Sequence, residues 1–265
     1  MPTPTPETLI IIPARWASER FLGKPLAQLV GANGQSRSLI ARTVAAGLAF
    51  KGAARLVVAT DDARIADEAR AAGAEAIMTD PAARNGTERV ADAVTRLNAS
   101  PEIIVNLQGD APLTPPWYIE ALIEKMADKT VEVATPVLEA EPDHLDRLRA
   151  DRQAGRVGAT TAVCGAMGQA LYFSKEVLPY GGGVRSPVLH HVGVYAYRSS
   201  ALQKYLSFDP SDIELAEGLE QLRFLEHGIP VTCTLVEAKD RAFWEVNTPE
   251  DIARVEAILK AEGLD

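Results

Sequence analysis

Three positively charged side chains, Arg15, Arg20 and Lys24, follow a short apolar run, Leu9–Ile12, within one stretch of chain. The run has the length and composition of a buried strand, and Pro13 ends it. A loop with three cations that leaves a first β-strand is where an α/β protein would hold phosphate. A solvated basic loop is the alternative that the spacing alone leaves open.

Polar residues after three further predicted strands extend this chemistry. They are the pair Asp61–Asp62, the segment Asn85–Arg89 and the turn Gln108–Asp110. Because the carboxyl ends of parallel strands share one crevice, we expect all of them beside the three cations. A single carboxylate such as Asp110 would anchor Mg²⁺ between the protein and the phosphates. The alternative for the three aspartates is that they cap helices and turns.

Several common site motifs are excluded by the sequence. There is no G-x-G-x-x-G dinucleotide motif and no G-x-S-x-G elbow. A Walker A loop would need glycine at position 18 and a hydroxyl residue after Lys24, where the chain has Ser18 and Pro25. The four histidines lack HxxxH spacing. Cys164 and Cys233 lie far apart in sequence and indicate reduced thiols.

The elements that must position these residues alternate between strand and helix over the first 140 residues. The pattern predicts strands at Leu9–Ile12, Arg55–Thr60, Glu75–Thr79, Ile103–Leu107 and Val131–Pro136. It predicts helices at Ser38–Lys51, Ala63–Ala72, Gly86–Leu97 and Pro115–Met126, with Ser38, Asp62 and Asn85 as caps. The alternation predicts an α/β fold with a mainly parallel sheet flanked by helices.

Past residue 140 the pattern changes. We predict a helix and connector at Glu141–Gly158, and strands at Thr160–Val163, Ala170–Phe173, His190–Tyr197 and Pro230–Leu235. One long helix is expected at Ile213–Glu226 and another at Thr248–Leu259, capped by Thr248. The chain is therefore predicted to be a single α/β domain with a main part at about 1–140. A smaller α+β lobe is expected at about 160–236, and a helix at 248–262 returns to the main part.

The composition limits the partners of the chain. With 27 Lys and Arg against 36 Asp and Glu, the formal net charge is −9, which argues against a nucleic-acid-coating role. Hydrophobic residues make up 47% of the chain, which is ordinary for a globular protein. No apolar run approaches the roughly 18 residues that span a membrane, and the start MPTPTPET lacks the features of a signal peptide. We therefore expect a cytoplasmic protein with no membrane or nucleic-acid partner.

Ordered blocks along the chain carry a resemblance to a known family. The blocks are IIPARWASERFLGKPL, VVATDD, NGTERVADAV, IIVNLQGDAPL, ALYFSK, HHVGVYAYR, GLEQLRFLEHG and VNTPEDIARV. Together they resemble the 3-deoxy-D-manno-octulosonate (Kdo) cytidylyltransferases. The resemblance implies a nucleotidyltransferase fold and transfer of CMP from CTP to Kdo or a related sugar acid, with release of pyrophosphate and with Mg²⁺ as cofactor. The product would serve lipopolysaccharide or capsule synthesis.

The resemblance also implies roles for individual residues around the nucleotide. The nucleotide-binding set is Pro13, Ala14, Arg15, Arg20, Lys24, Thr60, Asp61, Asn85, Thr87 and Gln108. Arg15 and Lys24 would act in catalysis together with Asp110, and Asp110 and Asn247 would face the metal. The first 140 residues would therefore bind the nucleotide.

The second lobe would bind the sugar acid and form a homodimer. The substrate-binding set is Arg89, from the main part, together with Lys175, His191, Tyr195, Glu217, Glu220 and Gln221. His191 and Tyr195 would face one side of a strand, and Glu217 and Gln221 would share one helical face. A satisfied core pair is the alternative for His191 and Tyr195 on the residues alone.

Three departures from the family pattern concern the metal and the acceptor. The family aspartate of the last block is Asn247, which adds no charge at the metal. The family glutamate after Asp110 is Ala111, and a family arginine is Lys175, which lacks a bidentate grip on a carboxylate. A sialic-acid-like or 8-amino acceptor, or a non-catalytic sugar-nucleotide-binding protein, therefore stays open as an alternative.

Overall fold

The computed structural model of the chain describes residues 8–18, 20–156, 159–184 and 186–265. These residues fall into two compact units. The first lies within Met1–Glu120 and Ala238–Asp265, and the second within Ala121–Glu237. The last two residues of the predicted connector, at 157–158, lie outside the described part.

The order of helices and strands confirms the predicted alternation through residue 140. The strands are β1 (Thr8–Ala14), β2 (Gln28–Val30), β3 (Ser36–Ser38), β4 (Ala54–Thr60), β5 (Glu75–Met78), β6 (Ile103–Leu107), β7 (Val133–Glu139), β8 (Thr160–Cys164), β9 (Ala170–Ser174), β10 (Leu189–His191), β11 (Val194–Tyr197) and β12 (Val231–Leu235). The α-helices are α1 (Leu39–Leu48), α2 (Ala63–Ala71), α3 (Gly86–Arg96), α4 (Pro116–Lys125), α5 (Pro142–Gln153), α6 (Ser199–Leu206), α7 (Asp212–Glu217), α8 (Leu222–Glu226) and α9 (Glu250–Ala261). The strands β2 and β3 and the helix α6 were not predicted.

The first unit contains a parallel sheet with the strand order β5-β4-β1-β6. The central strand β1 is buried along its whole length, as its apolar run predicts. Ala14 pairs with Thr60, and Ile11 pairs with Asn106. Since these strands run in one direction, the segments that follow β1, β4 and β6 leave the same edge of the sheet. The prediction of a mainly parallel sheet flanked by helices is confirmed for this unit.

Three helices of the first unit begin at side-chain caps that follow strands. Ser38, Asp62 and Asn85 each accept a hydrogen bond from a backbone N–H in the first turn of α1, α2 and α3. All three predicted caps are confirmed. The caps fix where the chain turns back from the edge of the sheet, and so fix the loops that carry the polar residues.

The helix α9 packs on the hairpin of β2 and β3. The buried side chains of the apolar cluster around this contact are Leu29, Leu39, Leu113, Val246, Val255 and Leu259. The prediction that Thr248 caps α9 is wrong. Instead, the Asp251 carboxylate in the first helical turn accepts from the N–H groups of Asn247 and Thr248, at 2.9 and 2.8 Å. This holds residues 246–248 against the start of the helix.

The second unit contains a mixed sheet arranged around β7. Strand β12 runs parallel to β7 on one side, and β10 and β11 pair antiparallel with it in succession. Strands β8 and β9 form a hairpin next to β10. The prediction of one strand over His190–Tyr197 is wrong, because the chain bends at Val192, whose carbonyl accepts from the N–H of Val194 at 2.7 Å.

The predicted long helix at Ile213–Glu226 is two short helices. The first, α7, begins at a capping box formed by Ser211 and Glu214. It ends at Gly218, whose φ of 61° lies in the left-handed region that terminates helices. Helix α8 then starts after Gln221. A break at glycine changes which side chains share a face, with consequences for the candidate site.

Among the described residues, no helix combines the length and the apolar character needed to cross a bilayer.

Candidate active site

The loop that carries the three cations, called the cationic loop, runs from Arg15 to Lys24 and closes on itself. The carbonyl of Trp16 accepts a hydrogen bond from the N–H of Gly23 at 3.0 Å. Arg15 therefore lies immediately before the closure, Arg20 within it and Lys24 immediately after it. The two arginines are exposed and Lys24 is half-buried. The loop thus presents three cations at the carboxyl end of β1, as its spacing predicted.

Lys24 joins the cationic loop to the end of β6 and to the segment before α9. Its Nζ donates to Asp110 Oδ2 at 2.6 Å and to the carbonyl of Val246 at 3.0 Å. The N–H of Val246 in turn donates to the carbonyl of Asp110 at 2.9 Å. Three segments distant in sequence therefore meet at one ion pair. The side chain of Val246 provides no ligand, but its carbonyl is turned toward this point.

A second cation of the loop reaches the same segment. Arg20 Nη2 donates to Asn247 Oδ1 at 3.2 Å. The two residues predicted to face a metal, Asp110 and Asn247, are therefore each bonded to a cation of the loop. Phosphate oxygens could replace these protein oxygens as the partners of Lys24 and Arg20, since both cations form strong hydrogen bonds to phosphate. The arrangement therefore favours an anionic ligand.

The carboxylate of Asp61 anchors the first residues of the loop. Asp61 Oδ1 accepts from the N–H of Trp16 at 3.0 Å, and Oδ2 lies 3.4 Å from Arg89 Nη2. Arg89 is only 2% exposed, and its Nη1 donates to Thr79 Oγ1 at 2.7 Å. Burial lowers the pKa of Arg89, opposed by the charge of Asp61 and reinforced by that of Arg15. Arg89 and Arg15 are therefore neighbours, and the buried Arg89 supports the carboxylate of Asp61 that anchors the loop.

Asp62 has a different role from its neighbour. Its side chain caps α2 and also takes a forked ion pair from Arg64, with Nη2 to Oδ2 at 2.6 Å. The hydrogen bond from Arg64 holds the pKa of Asp62 below its ordinary value. The capping alternative is confirmed for Asp62. Asp61 instead bonds to the cationic loop.

Two glycines allow the remaining residues that are predicted to bind nucleotide to approach one another. A Cβ on Gly109 would lie 2.6 Å from the carbonyl of Pro13, so β6 ends in direct contact with the end of β1. A Cβ on Gly86 would lie 2.7 Å from Gln108 Nε2, so the first turn of α3 packs on that amide. The other predicted nucleotide residues lie at the ends of β1 and β4 or at the start of α3, and they are Ala14, Thr60, Asn85 and Thr87. The structure brings all of the predicted nucleotide residues to one edge of the parallel sheet.

In the second unit, Glu217 is bound to β9. Its carboxylate accepts from Ser174 Oγ at 2.7 Å and from the N–H of Lys175 at 3.0 Å, with the hydroxyl of Tyr172 at 3.4 Å. The ammonium of Lys175 lies against Gly218, since a Cβ there would be 2.8 Å from Nζ. Glu217 and Lys175 are therefore adjacent, and Glu217 fixes the strand end that carries the lysine.

The expected helical face shared by Glu217 and Gln221 is wrong, because the chain breaks at Gly218 between them. Gln221 is 2% exposed, and within the described residues its Nε2 has no hydrogen-bond partner. Glu220 is half-buried, and its carbonyl accepts from the hydroxyl of Tyr205 at 3.3 Å. The break places Gln221 with an unmet donor inside the protein.

His191 and Tyr195 are neighbours, but not for the predicted reason. Their rings lie 5.5 Å apart across the bend between β10 and β11, and not along one strand. Burial, helped by the nearby His190, lowers the pKa of His191 to about 3, so the imidazole is neutral at physiological pH.

The tautomer of His191 follows from a threonine on β7. Thr135 Oγ1 lies 3.0 Å from His191 Nε2 and 2.8 Å from the carbonyl of Val194. A hydroxyl has one proton to donate, and Thr135 donates it in the shorter hydrogen bond, to the carbonyl of Val194. His191 Nε2 must then carry the ring proton, which leaves Nδ1 as an acceptor.

Comparison with known proteins decides the family. A family model described as "Cytidylyltransferase" matches residues 9–237. The chain is 46% identical to the 3-deoxy-manno-octulosonate cytidylyltransferase of Maricaulis maris over 258 residues, which cover 96% of this chain and 98% of that one. It is 39% identical to the protein of the same name from Chlamydia abortus, covering 94% and 92%. The chain belongs to the cytidylyltransferase family.

A solved structure agrees in fold over nearly all of this cytidylyltransferase. It is that of CMP:2-keto-3-deoxy-manno-octonic acid synthetase complexed with CTP. The TM-score is 0.82 at 33% identity, and the match covers 97% of this chain and 99% of the other. The predicted nucleotidyltransferase fold is therefore confirmed.

The two residues predicted to face a metal offer oxygen atoms that suit Mg²⁺. Asp110 offers a partly exposed carboxylate and Asn247 an amide oxygen, both oxygen donors that Mg²⁺ accepts. Among the described residues no group of three or more acidic, histidine or cysteine side chains forms a dedicated metal cage. A site with one or two protein oxygens fits Mg²⁺, which keeps water and phosphate as its other ligands.

Sequence reasoning missed two residues that shape the cationic loop. Trp16 accepts the closing hydrogen bond with its carbonyl and donates with its N–H to Asp61. Arg64 stacks on the Trp16 ring, with its guanidinium carbon 3.5 Å from the ring centroid. An aromatic residue inside a basic loop was the available signal, but its partner on α2 is a tertiary contact that no local pattern predicts.

Proposed function

We propose that this cytidylyltransferase transfers CMP from CTP to the anomeric hydroxyl of Kdo or a closely related 3-deoxy-ulosonic acid. The observation that supports this proposal most directly is the 46% identity, over 96% of the chain, to a Kdo cytidylyltransferase. The cationic loop and Asp110 also lie together in one cluster. In the reaction the hydroxyl oxygen attacks the α-phosphorus of CTP. The bond from that phosphorus to the bridging oxygen breaks, pyrophosphate leaves, and the hydroxyl proton passes to solvent.

The cationic loop would bind the triphosphate. Arg15, Arg20 and Lys24 supply charge to the β- and γ-phosphates and so stabilise the pyrophosphate as it leaves. For this, Lys24 must exchange Asp110 for phosphate oxygen, and Arg20 must leave Asn247. Each exchange frees a protein oxygen. Binding of the triphosphate and exposure of the metal-facing oxygens are therefore coupled in this proposal.

Mg²⁺ would be held by Asp110 and by the amide oxygen of Asn247. When bound, the ion would neutralise phosphate charge that the cations do not cover. Gln108 would contact the nucleotide, because its amide lies at the edge of the sheet beside Gly86.

The acceptor would bind to residues of the second unit. Lys175 would pair with the sugar carboxylate, and Gln221 Nε2 would donate to a hydroxyl, which gives its buried N–H a partner. Nδ1 of His191 would accept from a second hydroxyl. A single-point ammonium at Lys175 in place of a guanidinium fork gives looser control of the carboxylate. This favours testing acceptors beyond Kdo, including 8-amino-Kdo and sialic acid.

A homodimer is the assembly that we propose, formed through the second unit. Its hairpin β8–β9 bridges to β12 at Gln169 and Thr232, and apolar side chains on these segments are exposed. Leu171 and Leu235 are 65% and 64% exposed, and Met167 in the turn of the hairpin is 81% exposed. Such side chains on neighbouring segments favour a covering partner. The cytoplasm is the proposed location.

Pyrophosphate release measured over a panel of nucleotides and acceptors tests the activity. Each of CTP, UTP, ATP and GTP is incubated with Mg²⁺ and with Kdo, 8-amino-Kdo or sialic acid. We expect release with CTP and with Kdo, and none with UTP, ATP or GTP; release with sialic acid but not with Kdo would favour the alternative acceptor. Release with UTP or ATP but not with CTP would overturn the proposal, and binding of CTP without turnover on any acceptor would favour the non-catalytic alternative.

A further inference from the structure

Trp16 holds both ends of the cationic loop. Its carbonyl accepts from the N–H of Ser18 at 3.1 Å and from that of Gly23 at 3.0 Å. Its ring covers Gly23, because a Cβ at that position would lie 2.7 Å from the nearest ring carbon. Gly23 has a φ of 70°, a backbone conformation that favours glycine. The ring and the main chain of Trp16 therefore close the loop together.

Arg64 stacks on the ring of Trp16. The guanidinium carbon stands 3.5 Å from the ring centroid, which is stacking distance. Arg64 is itself held flat by Asp62, through Nε to Oδ1 at 2.9 Å and Nη2 to Oδ2 at 2.6 Å. Asp62 is fixed as the cap of α2. The order of contacts runs from helix α2 through Asp62 and Arg64 to Trp16, and from there to Gly23.

We propose that Trp16 and Arg64 are positioning residues that pre-organise the cationic loop for the triphosphate of the nucleotide. The proposal rests on the proposed function. Neither side chain needs to touch phosphate for this role. Their effect passes through the backbone that carries Arg15, Arg20 and Lys24.

The physical reason is the cost of ordering a loop. A loop that is already closed loses little backbone freedom when phosphate binds, whereas an open one must be ordered during binding. Once the triphosphate is bound, its own contacts hold the loop, so the chemical step is affected less than binding. Loss of the contact between Trp16 and Arg64, called the clamp, should therefore raise KM for CTP and change kcat little.

The kinetic test compares four variants in which the clamp is removed, restored or left alone. Trp16→Ala and Arg64→Ala should raise KM for CTP about 10- to 100-fold, with kcat and KM for the sugar acid within about threefold of wild type. Trp16→Tyr keeps an aromatic face and should restore most of the affinity. Arg70→Ala is the matched control, because Arg70 lies on the same helix and pairs with Asp67, away from the loop.

A KM for CTP equal to that of wild type in both alanine variants would overturn the clamp. So would an equal rise in Arg70→Ala. Arg64 is 57% exposed, so its truncation leaves the core intact even if Trp16→Ala folds poorly.

Limited trypsin digestion tests the clamp without turnover. Cleavage after Arg15 and Arg20, followed by mass spectrometry, should be faster in Trp16→Ala than in wild type, because an open loop fits the protease better. Inorganic pyrophosphate should slow the cleavage in both proteins. Equal cleavage rates in variant and wild type would contradict the clamp. Since this readout needs no acceptor or product, its outcome is distinguishable from a failure of the proposed activity.

Discussion

Asp110 connects the cationic loop to the segment before α9, because it bonds to Lys24 and, through its carbonyl, to Val246. Asp110→Ala should lower Mg²⁺-dependent turnover by about 100-fold or more. The fold should survive, since the loss of one partly exposed ion pair costs about 1 kcal/mol and the main-chain bond remains. Steady-state rates and thermal melting measure the two effects. Retained turnover in the variant would remove Asp110 from the metal role.

Asn247 is the second residue proposed to face Mg²⁺. Asn247→Asp adds a charge where the Arg20 guanidinium now meets an amide oxygen. We expect the Mg²⁺ concentration that gives half the maximal rate to fall about three- to tenfold, because a carboxylate binds this ion better than an amide does. Titrations of rate against Mg²⁺ concentration, with Asn247→Ala as the control that removes the oxygen, measure this. Identical titrations in all three proteins would mean that position 247 does not face the ion.

The two adjacent histidines make stability depend on pH. Burial lowers the pKa of His190 and of His191 to about 3, against about 6.5 in the unfolded chain. Below pH 6.5 the unfolded chain gains protons that the folded chain does not, so stability falls as pH falls. The loss at pH 5 is about 2 kcal/mol for each histidine.

Melting temperatures measured from pH 7.5 to pH 5 report this effect. The wild-type value should fall by roughly 10 °C. His190→Gln removes one of the two groups, so about half of the fall should remain. A melting temperature that is flat over this range, or an unchanged fall in the variant, would contradict the assignment. The ring of His144 stacks on His190 at 5.0 Å, and its positive form would oppose protonation further.

At the scale of elements, local signals predicted how helices begin but not where tertiary contacts bend the chain. Ser38, Asp62 and Asn85 were predictable because a cap bonds to its own helix. The bend after β10 was not, because Thr135 on β7 bonds to the carbonyls of Val192 and Val194 from a distant part of the sequence.

The break in the predicted long helix depends on contacts beyond the helix itself. A glycine inside a helix costs only about 1 kcal/mol, so the presence of Gly218 in the sequence does not by itself predict that a helix ends there. The capping box at Ser211 and Glu214 marks the start of a short helix, and the side chain of Lys175 fills the space that a larger residue at position 218 would need.

The contact between the ends of β1 and β6 depends on a glycine. In Gly109→Ala the new Cβ would lie 2.6 Å from the carbonyl oxygen of Pro13, and backbone cannot move aside as a side chain can. We expect a loss of about 2 kcal/mol in the free energy of unfolding and a rise in KM for CTP. Chemical denaturation and initial rates measure both.

Gly165→Ala is the matched control. Its Cβ would meet nothing closer than 3.6 Å, so stability and KM should stay near the wild-type values. Equal behaviour of the two variants would mean that β6 and β1 do not need this close approach.

At the scale of the whole molecule, family blocks predicted more than periodicity did. Spacing placed Arg15, Arg20 and Lys24 in one loop but left a solvated surface as an alternative. The ordered blocks indicated the cytidylyltransferase family, and the family match over residues 9–237 confirms it. The parallel-sheet pattern predicted that Asp110 lies beside the three cations. It did not predict that Lys24 is the cation that pairs with it, because 86 residues separate the two and the contact forms only in the folded protein.

The proposed homodimer predicts a mass of about twice the 28.4 kDa chain. Leu171→Glu and Leu235→Glu put charge on side chains expected to be covered, and each should shift the protein toward monomer. Light scattering after size exclusion measures the mass. Leu48→Glu is the control, because that side chain is 47% exposed in the first unit. A wild-type monomer at micromolar concentration would contradict the proposal.

The central claim is the transfer of CMP to a 3-deoxy-ulosonic acid, and phosphorus NMR of the reaction of wild type with CTP, Kdo and Mg²⁺ tests it most directly. The account predicts that the three CTP resonances give way to two others. They are one pyrophosphate resonance and one new phosphodiester resonance of half its area, because pyrophosphate carries two equivalent phosphorus atoms. The diester should be absent when Kdo is omitted. Formation of pyrophosphate with free CMP and no diester, or an unchanged CTP spectrum, would contradict the account.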